Sequence, residues 1–201
     1  MKKTLSSLVL MLALSALPAS PSLADISHTV KSGDTMWKLA VRYQIGLSEI
    51  IAANSHIANP ALIYPSQVLT IPQLSASVTS FESEVVRLVN EIRAENGLSR
   101  LTANWELSRV ARFKSQDMAD KGYFSHTSPT YGTPFEMIRA FGLSYKTAGE
   151  NIAYGQRTPQ AVVNAWMNSS GHRANILNAS YTQIGVGYSA DGHYWTQLFI
   201  G

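Results

Sequence analysis

Three side chains capable of acid–base or metal chemistry occur in separate stretches of the sequence. Glu150 lies in Gly-Glu-Asn-Ile-Ala, and His172 lies in Gly-His-Arg-Ala-Asn-Ile-Leu. A second imidazole, His126, lies upstream in Phe-Ser-His-Thr-Ser-Pro. An imidazole exchanges protons near neutral pH and binds metals when neutral, and a carboxylate can orient it or act as a base. We therefore expect His126, Glu150 and His172 to converge on one cleft.

The elements that must position these side chains are helices followed by strands. Phe81 to Asn96 has an apolar stripe at helical spacing, and Gly97 ends it. Thr-Pro-Phe-Glu from Thr133 has the form of a capping box with proline at the first helical position. Further helices are predicted from about 104 to 121, from 158 and over 172–176, with strands over 145–154, 183–188 and 193–200. This order predicts an α+β fold in which helices cover an antiparallel sheet.

Residues 81–201 resemble the CAP superfamily, the cysteine-rich secretory, antigen-5 and pathogenesis-related-1 group. The resemblance is carried by Leu-Val-Asn-Glu-Ile-Arg, by the three stretches quoted above, and by Gly-Val-Gly-Tyr and Tyr-Trp-Thr-Gln. It implies a three-layer α-β-α sandwich whose cleft carries two His and two Glu, with zinc held by the His pair in some members. His126, His172 and Glu150 match this set, whereas Ser169 stands where the second acid is expected, three residues after Trp166.

The chemistry of the cleft has competing interpretations. His126 and His172 can bind Zn²⁺, with Glu150 as general base for a metal-activated water, which would make a hydrolase of an envelope peptide, glycan or ester. A catalytic zinc usually has three protein ligands, so the missing acid favours ligand binding over hydrolysis. In purely structural roles, Glu150 can accept backbone amide hydrogens and His172 can cap the turn near Ile176. The resemblance also leaves carriage of a lipid or sterol open.

A smaller unit precedes this domain at residues 28–72. It reads as strand, helix, helix and strand, and it resembles a LysM domain in three stretches, with Ser66 where Gly is usual before Gln. The resemblance implies binding of N-acetylglucosamine-containing glycans, chiefly peptidoglycan, between two loops. Asp34 can instead cap the first helix, and Met36 and Ile63 can belong to the core. The candidate glycan-binding residues are Gly33, Asp34, Thr35, Met36, Asn59, Pro60, Leu62 and Ile63.

Residues 1–24 have the pattern of a secretory signal peptide. Lys2 and Lys3 precede an apolar run over 8–17, and Ser-Leu-Ala at 22–24 fits the small-x-small cleavage pattern. The apolar run is shorter than the ~20 residues that span a bilayer. Cleavage would leave 14 basic and 13 acidic side chains, a balance that does not favour nucleic-acid binding. Residues 73–80 are small and polar, which predicts a flexible linker.

The sequence contains no cysteine, which excludes disulfides, a thiol nucleophile and thiolate metal ligands. With the export signal and the LysM resemblance, this predicts an extracellular, cell-wall-associated protein. The spore cortex or coat is an expected location on resemblance alone. The predicted partner is peptidoglycan or another N-acetylglucosamine glycan, and a protein partner stays open. No cofactor is predicted beyond the zinc considered at His126 and His172.

Overall fold

The computed structural model describes residues 25–201, and the predicted signal peptide lies outside them. The chain folds as a small domain followed by a larger one. None of the helices in residues 25–201 is long and apolar enough to cross a membrane. The elements in order are β1 (Ile26–Thr29), α1 (Met36–Tyr43), α2 (Leu47–Ala53), β2 (Val68–Ile71), α3 (Ala76–Glu95), β3 (Thr102–Ala103), α4 (Trp105–Lys121), α5 (Pro134–Ala140), β4 (Ala148–Tyr154), α6 (Pro159–Met167), α7 (Ser170–Ile176), β5 (Gln183–Ser189) and β6 (Tyr194–Ile200).

In the small domain, two helices pack on a two-stranded sheet. β1 and β2 are antiparallel, and Ile26 lies opposite Ile71. Leu39, Ile50 and Leu69 are fully buried and form the core between the helices and the strands. The predicted order of strand, helix, helix and strand is therefore confirmed.

Two side chains of the small domain differ from the expectation. The helical pattern assigns Trp37 to the apolar face of α1, but its side chain points outward and is 57% exposed. A histidine of the small domain is expected at the surface, but His28 is buried, and both of its ring nitrogens have partners: Nδ1 lies 2.9 Å from the Tyr43 hydroxyl and Nε2 lies 2.9 Å from the Asp34 carboxylate.

The large domain is a three-layer sandwich, as the resemblance implies. Its sheet has the strand order β3-β5-β6-β4, so β4 is an edge strand. On one face, α4 and α5 bury Leu198 and Ile200; on the other, α3 and α6 bury Trp195 and Phe199. Alternate residues of β6 thus enter opposite cores, as strand geometry requires. At Gly187 a Cβ would overlap the backbone of α4, so only glycine permits this close packing.

The linker is shorter than predicted. α3 begins at Ala76, because the Ser75 hydroxyl accepts a hydrogen bond from the Val78 amide and Val78 packs on the large-domain core. Residues 76–80, predicted to be part of a flexible joint, are therefore helical. The connection between β2 and α3 is reduced to residues 72–75.

The two domains also touch directly. The Arg109 guanidinium on α4 donates to both carboxylate oxygens of Glu49 on α2, at 2.6 and 2.9 Å. The same guanidinium lies 5.0 Å from the ring centroids of Phe113 and Phe141. At Gly46 a Cβ would collide with both partners of the ion pair. This contact, together with the short connection, fixes how the domains face each other.

Candidate functional site

His126 and Glu150 form a direct pair at the edge of the sheet. Nδ1 of His126 lies 2.7 Å from Oε1 of Glu150. Glu150 lies on β4 with a side chain that is 2% exposed, whereas the His126 side chain, in the loop between α4 and α5, is 55% exposed. The carboxylate is therefore covered by the imidazole, and the far side of the ring faces solvent.

The electrostatics of this pair favour a bound proton. The hydrogen bond to Glu150 raises the pKa of His126, and the charge of the carboxylate adds to it. Burial raises the pKa of the Glu150 carboxyl, although His126 and the ammonium of Lys114 act in the opposite direction. With Nδ1–H donated to Glu150, protonated His126 presents its Nε2–H outward as a donor. Deprotonated, the same nitrogen becomes an acceptor.

A buried lysine positions the His126 loop. Lys114 on α4 is 1% exposed. Its ammonium donates to the backbone carbonyls of Ser125 at 2.7 Å and His126 at 3.0 Å, and to the Tyr123 hydroxyl at 3.1 Å. Burial lowers the pKa of Lys114, opposed by the charges of Glu150 and Asp117. All three N–H donors of the cation therefore have an acceptor, and two of them hold the backbone that carries His126.

A buried aspartate holds the next part of the same loop. Asp117 accepts hydrogen bonds from the hydroxyls of Tyr123 at 2.6 Å, Ser128 at 2.7 Å and Thr130. Burial alone would raise its pKa, but the hydrogen bonds from Thr130, Tyr123 and Ser128 bring the pKa of Asp117 to about 2. The Ser128 hydroxyl thus helps to shape the loop, because it also accepts from the amides of Thr130 and Tyr131.

His172 lies on α7, which is hydrogen-bonded to β4 beside Glu150. Its backbone carbonyl accepts a hydrogen bond from the Asn151 side chain at 3.1 Å, and Asn175 donates to the Glu150 carbonyl at 3.1 Å. Burial lowers the pKa of His172, and the positive charge of His126 lowers it further. Within residues 25–201, no hydrogen bond links the His172 ring to His126 or Glu150. The structure thus joins two of the three predicted side chains directly and relates the third to them through charge.

The expected second acid is replaced by a hydroxyl. Ser169 is the N-cap residue of α7, and in the described chain its side chain makes no capping hydrogen bond. Among the described residues, no group of three or more His, Cys, Asp or Glu side chains is arranged to hold a metal ion. The residues present therefore do not fit a zinc site with three protein ligands.

The residues predicted to bind glycan in the small domain differ in whether their side chains shape the fold or face solvent. Gly33 has a φ of 84°, and Thr35 rather than Asp34 caps α1, accepting from the Lys38 amide. Met36 is 3% exposed and belongs to the core, so its side chain is not available to a sugar. Leu62, in contrast, is 51% exposed. Ile63 packs on the core while partly exposed.

The carboxylate of Asp34 holds the first of these loops in shape. It accepts from the Lys31 amide and from Nε2 of His28, both at 2.9 Å. The hydrogen bond from the Lys31 amide is the largest cause that lowers the pKa of Asp34 to about 2. The hydrogen bond from His28 and the charge of the Arg42 guanidinium add to it.

The residues that the sequence reasoning missed are the supporting polar ones. Lys114 follows Val110 by four residues and precedes Met118 by four, so helical spacing places it on the inward face of α4. That spacing was the available signal. For Asn151 and Asn175 the sequence has no such signal, because their hydrogen-bond partners lie on different elements.

Two family models match the chain. The model for the cysteine-rich secretory protein family, CAP, matches residues 86–199. The model for the LysM domain matches residues 28–72. The chain therefore belongs to the cysteine-rich secretory protein family and carries a LysM domain ahead of the family domain.

Two relatives and one solved structure align with much of the chain. The chain is 53% identical over 154 residues to the uncharacterized protein YkwD of Bacillus subtilis, covering 77% of this chain and 60% of that protein. It is 34% identical over 165 residues to the N-acetylmuramoyl-L-alanine amidase sle1 of Staphylococcus epidermidis, covering 77% of this chain and 47% of the amidase. A crystal structure of an extracellular SCP-domain protein from Bacillus anthracis aligns with a TM-score of 0.60 at 34% identity, covering 68% of this chain and 47% of that one. The chain thus spans about half of two of these relatives and somewhat more of the third.

Proposed function

We propose that this protein is exported and held on peptidoglycan by its LysM domain, while the cleft at His126, Glu150 and His172 binds a ligand in the cell wall. The LysM match and the likeness to a protein named an N-acetylmuramoyl-L-alanine amidase support the location. The observation that carries the binding role is the 2.7 Å contact between a buried carboxylate and a half-exposed imidazole. When protonated, a ring oriented in this way offers a fixed, charged donor to an acceptor group such as a carboxylate or an amide oxygen.

Peptidoglycan pull-down tests the anchoring role. Leu62→Glu places a charge on the exposed part of the second loop, and we expect it to reduce the bound fraction of the mature chain at least threefold. Val41→Glu is the matched control, because Val41 is an aliphatic side chain of α1 that is 43% exposed and lies outside both loops. Equal binding of the two variants would show that these loops do not grip the wall.

Location within the wall is tested separately. We propose the vegetative wall or, on resemblance alone, the spore cortex or coat. Immunoblots of fractionated vegetative cells and purified spores distinguish these sites. Recovery of the protein only from the cytoplasm would contradict both.

Metal-assisted hydrolysis is the second candidate, because the relative in Staphylococcus epidermidis is named an amidase. A zinc ion shared by His126 and His172 predicts that His126→Ala and His172→Ala weaken Zn²⁺ binding equally. Titration of metal-free protein, followed by assay of fragments released from purified peptidoglycan, tests both parts. Unchanged weak binding in the two variants, without fragment release, would leave ligand binding as the function.

A further inference from the structure

Three aromatic rings form a continuous row beside the cleft. The ring centroids of Phe124 and Tyr154 are 6.2 Å apart, and those of Tyr154 and Tyr194 are 4.6 Å apart. Phe124 is 52% exposed and Tyr154 is 54% exposed. We call Phe124, Tyr154 and Tyr194 the aromatic row.

The aromatic row and the His126–Glu150 pair share β4 and the same loop. Tyr154 follows Glu150 by four residues on β4, so the two side chains share one face of the sheet. Tyr194 lies directly opposite Tyr154 in the ladder between β4 and β6. Phe124 precedes His126 by two residues in the loop that Lys114 holds. The same loop therefore contacts β4 twice, once through the imidazole and once through an aromatic ring.

The exposure of these rings distinguishes them from the other aromatic pairs on the sheet. Tyr181 and Phe199, which stack at 5.2 Å, are both buried and account for part of the core. Phe124 and Tyr154 leave about half of their surface in water, although they lie on a strand and a loop whose positions are fixed by hydrogen bonds. A rigid apolar surface that remains exposed next to a polar pair has the composition of a ligand site.

We propose that the aromatic row is a saccharide subsite, in which an N-acetylhexosamine ring of the peptidoglycan glycan strand stacks on Tyr154 while Phe124, tilted by 46°, borders its edge. A pyranose ring has a flat C–H face that packs on the electron-rich face of an aromatic ring, and its edge carries hydroxyl and acetamido groups. A glycan strand that runs from the row along β4 toward Glu150 would bring such a group to Nε2 of His126. This inference rests on the proposed function, since it names the ligand class of the same cleft.

NMR spectroscopy of the full mature chain tests the subsite, because each site has its own reporters. The probe is a peptide-free tetrasaccharide of alternating N-acetylglucosamine and N-acetylmuramic acid. We expect it to shift the ring signals of Phe124, Tyr154 and His126, in addition to the loop signals of Asn59 and Leu62. Tyr154→Ala should weaken the affinity read at His126 about tenfold, by loss of one stacking surface, and leave the small-domain response unchanged.

Phe135→Ala is the matched control. Phe135 is 44% exposed and lies 6.5 Å from Tyr145 in a similar tilted pair away from the cleft. We expect this variant to bind as the wild type does at both sites. Tyr154→Leu retains an apolar side chain without the ring, so loss of the response at His126 in this variant as well would assign the effect to stacking.

The outcomes separate this inference from the proposed function. A tetrasaccharide response confined to the small domain would overturn the saccharide subsite. If a free stem peptide then shifts the His126 signals, ligand binding in the cleft stands and only its saccharide class is wrong. If neither probe shifts them, both the subsite and the binding role of the cleft fail.

Discussion

One aspartate accepts the hydrogen bonds that hold a loop in each domain, yet the two loops are held in different ways. In the small domain, Asp34 accepts hydrogen bonds from a backbone amide and a histidine, and its loop is one of the two predicted to contact a glycan. In the large domain, Asp117 accepts three hydroxyls, and a buried cation holds the backbone next to His126. In both domains the pKa of the aspartate is about 2.

The difference shows what each kind of site requires. A loop that presents backbone groups needs only the correct path of the chain, which one carboxylate can hold. A loop that must aim an imidazole at a particular carboxylate needs a second fixed point, and Lys114 provides it. Four substitutions test this contrast.

We expect the largest effect from Lys114→Met. The substitution leaves the carbonyls of Ser125 and His126 without their donor in a buried position, at a cost of about 3 kcal/mol in unfolding free energy. Urea unfolding measures the loss. Lys121→Met is the control, because its side chain is 44% exposed although it also pairs with Asp117. Equal losses in the two variants would contradict the special role of the buried cation.

Asp117→Asn should make the free energy of unfolding depend less on pH in the acid range. Because the folded pKa of about 2 is below the ordinary 3.8, the charged form stabilises the fold above pH 4, and this contribution of about 2 kcal/mol is lost as pH falls through 2. Unfolding free energies between pH 5 and 2 should therefore fall less steeply in the variant. An unchanged slope would show that the hydroxyls do not bind the charged form preferentially.

Glu150→Gln should lower the pKa of His126, because its hydrogen bond to the carboxylate is the main cause of the raised value. The protonated ring stabilises the fold at pH below its ordinary 6.5, and that stability is lost as pH rises through the folded pKa. Titration of the ring signals by NMR measures the change. Glu95→Gln, at the exposed end of α3, should leave the curve unchanged. A His126 pKa unaffected by Glu150→Gln would mean that the pair is not formed in solution.

Ser66→Gly should give the smallest effect and the only gain. Ser66 has a φ of 73° in the small domain, a left-handed conformation that glycine adopts more readily. We expect the free energy of unfolding of this domain to rise by about 1 kcal/mol, which thermal denaturation measures. A loss of stability would show that the serine side chain contributes a contact that compensates for the strain.

The parts of the fold with local signals could be predicted from the sequence. The capping box at Thr133 and Glu136 is present, and α5 begins at Pro134 as expected. The helix after Asn104 begins where the sequence places it, because the Asn104 side chain caps it. The two-residue strand β3 was missed, since it is defined only by its parallel pairing with β5. The extent of α3 was underestimated, because its first turn is stabilised by packing as well as by Ser75.

The candidate site, like the fold, could be predicted from the sequence only in part. The pairing of His126 with Glu150 matches the family resemblance, and the structure gives it a distance. The convergence of His172 on the same cleft stays a prediction. Lys114 was not identified, because a lysine in an apolar stripe becomes a buried cation only if distant carbonyls meet it. Those carbonyls belong to a loop whose path is not encoded by any local pattern.

The ion pair between Glu49 and Arg109 has a consequence for how the protein would work on a polymer. Two domains joined by a long flexible linker can take many relative positions. Here the domains are joined by the ion pair, and the Arg109 guanidinium also packs against two phenylalanine rings. The loops predicted to bind glycan and the His126 imidazole are then separated by one constant distance. If the small domain holds a glycan, the cleft at His126 would therefore contact only those chemical groups of the wall that lie at a set distance from that glycan.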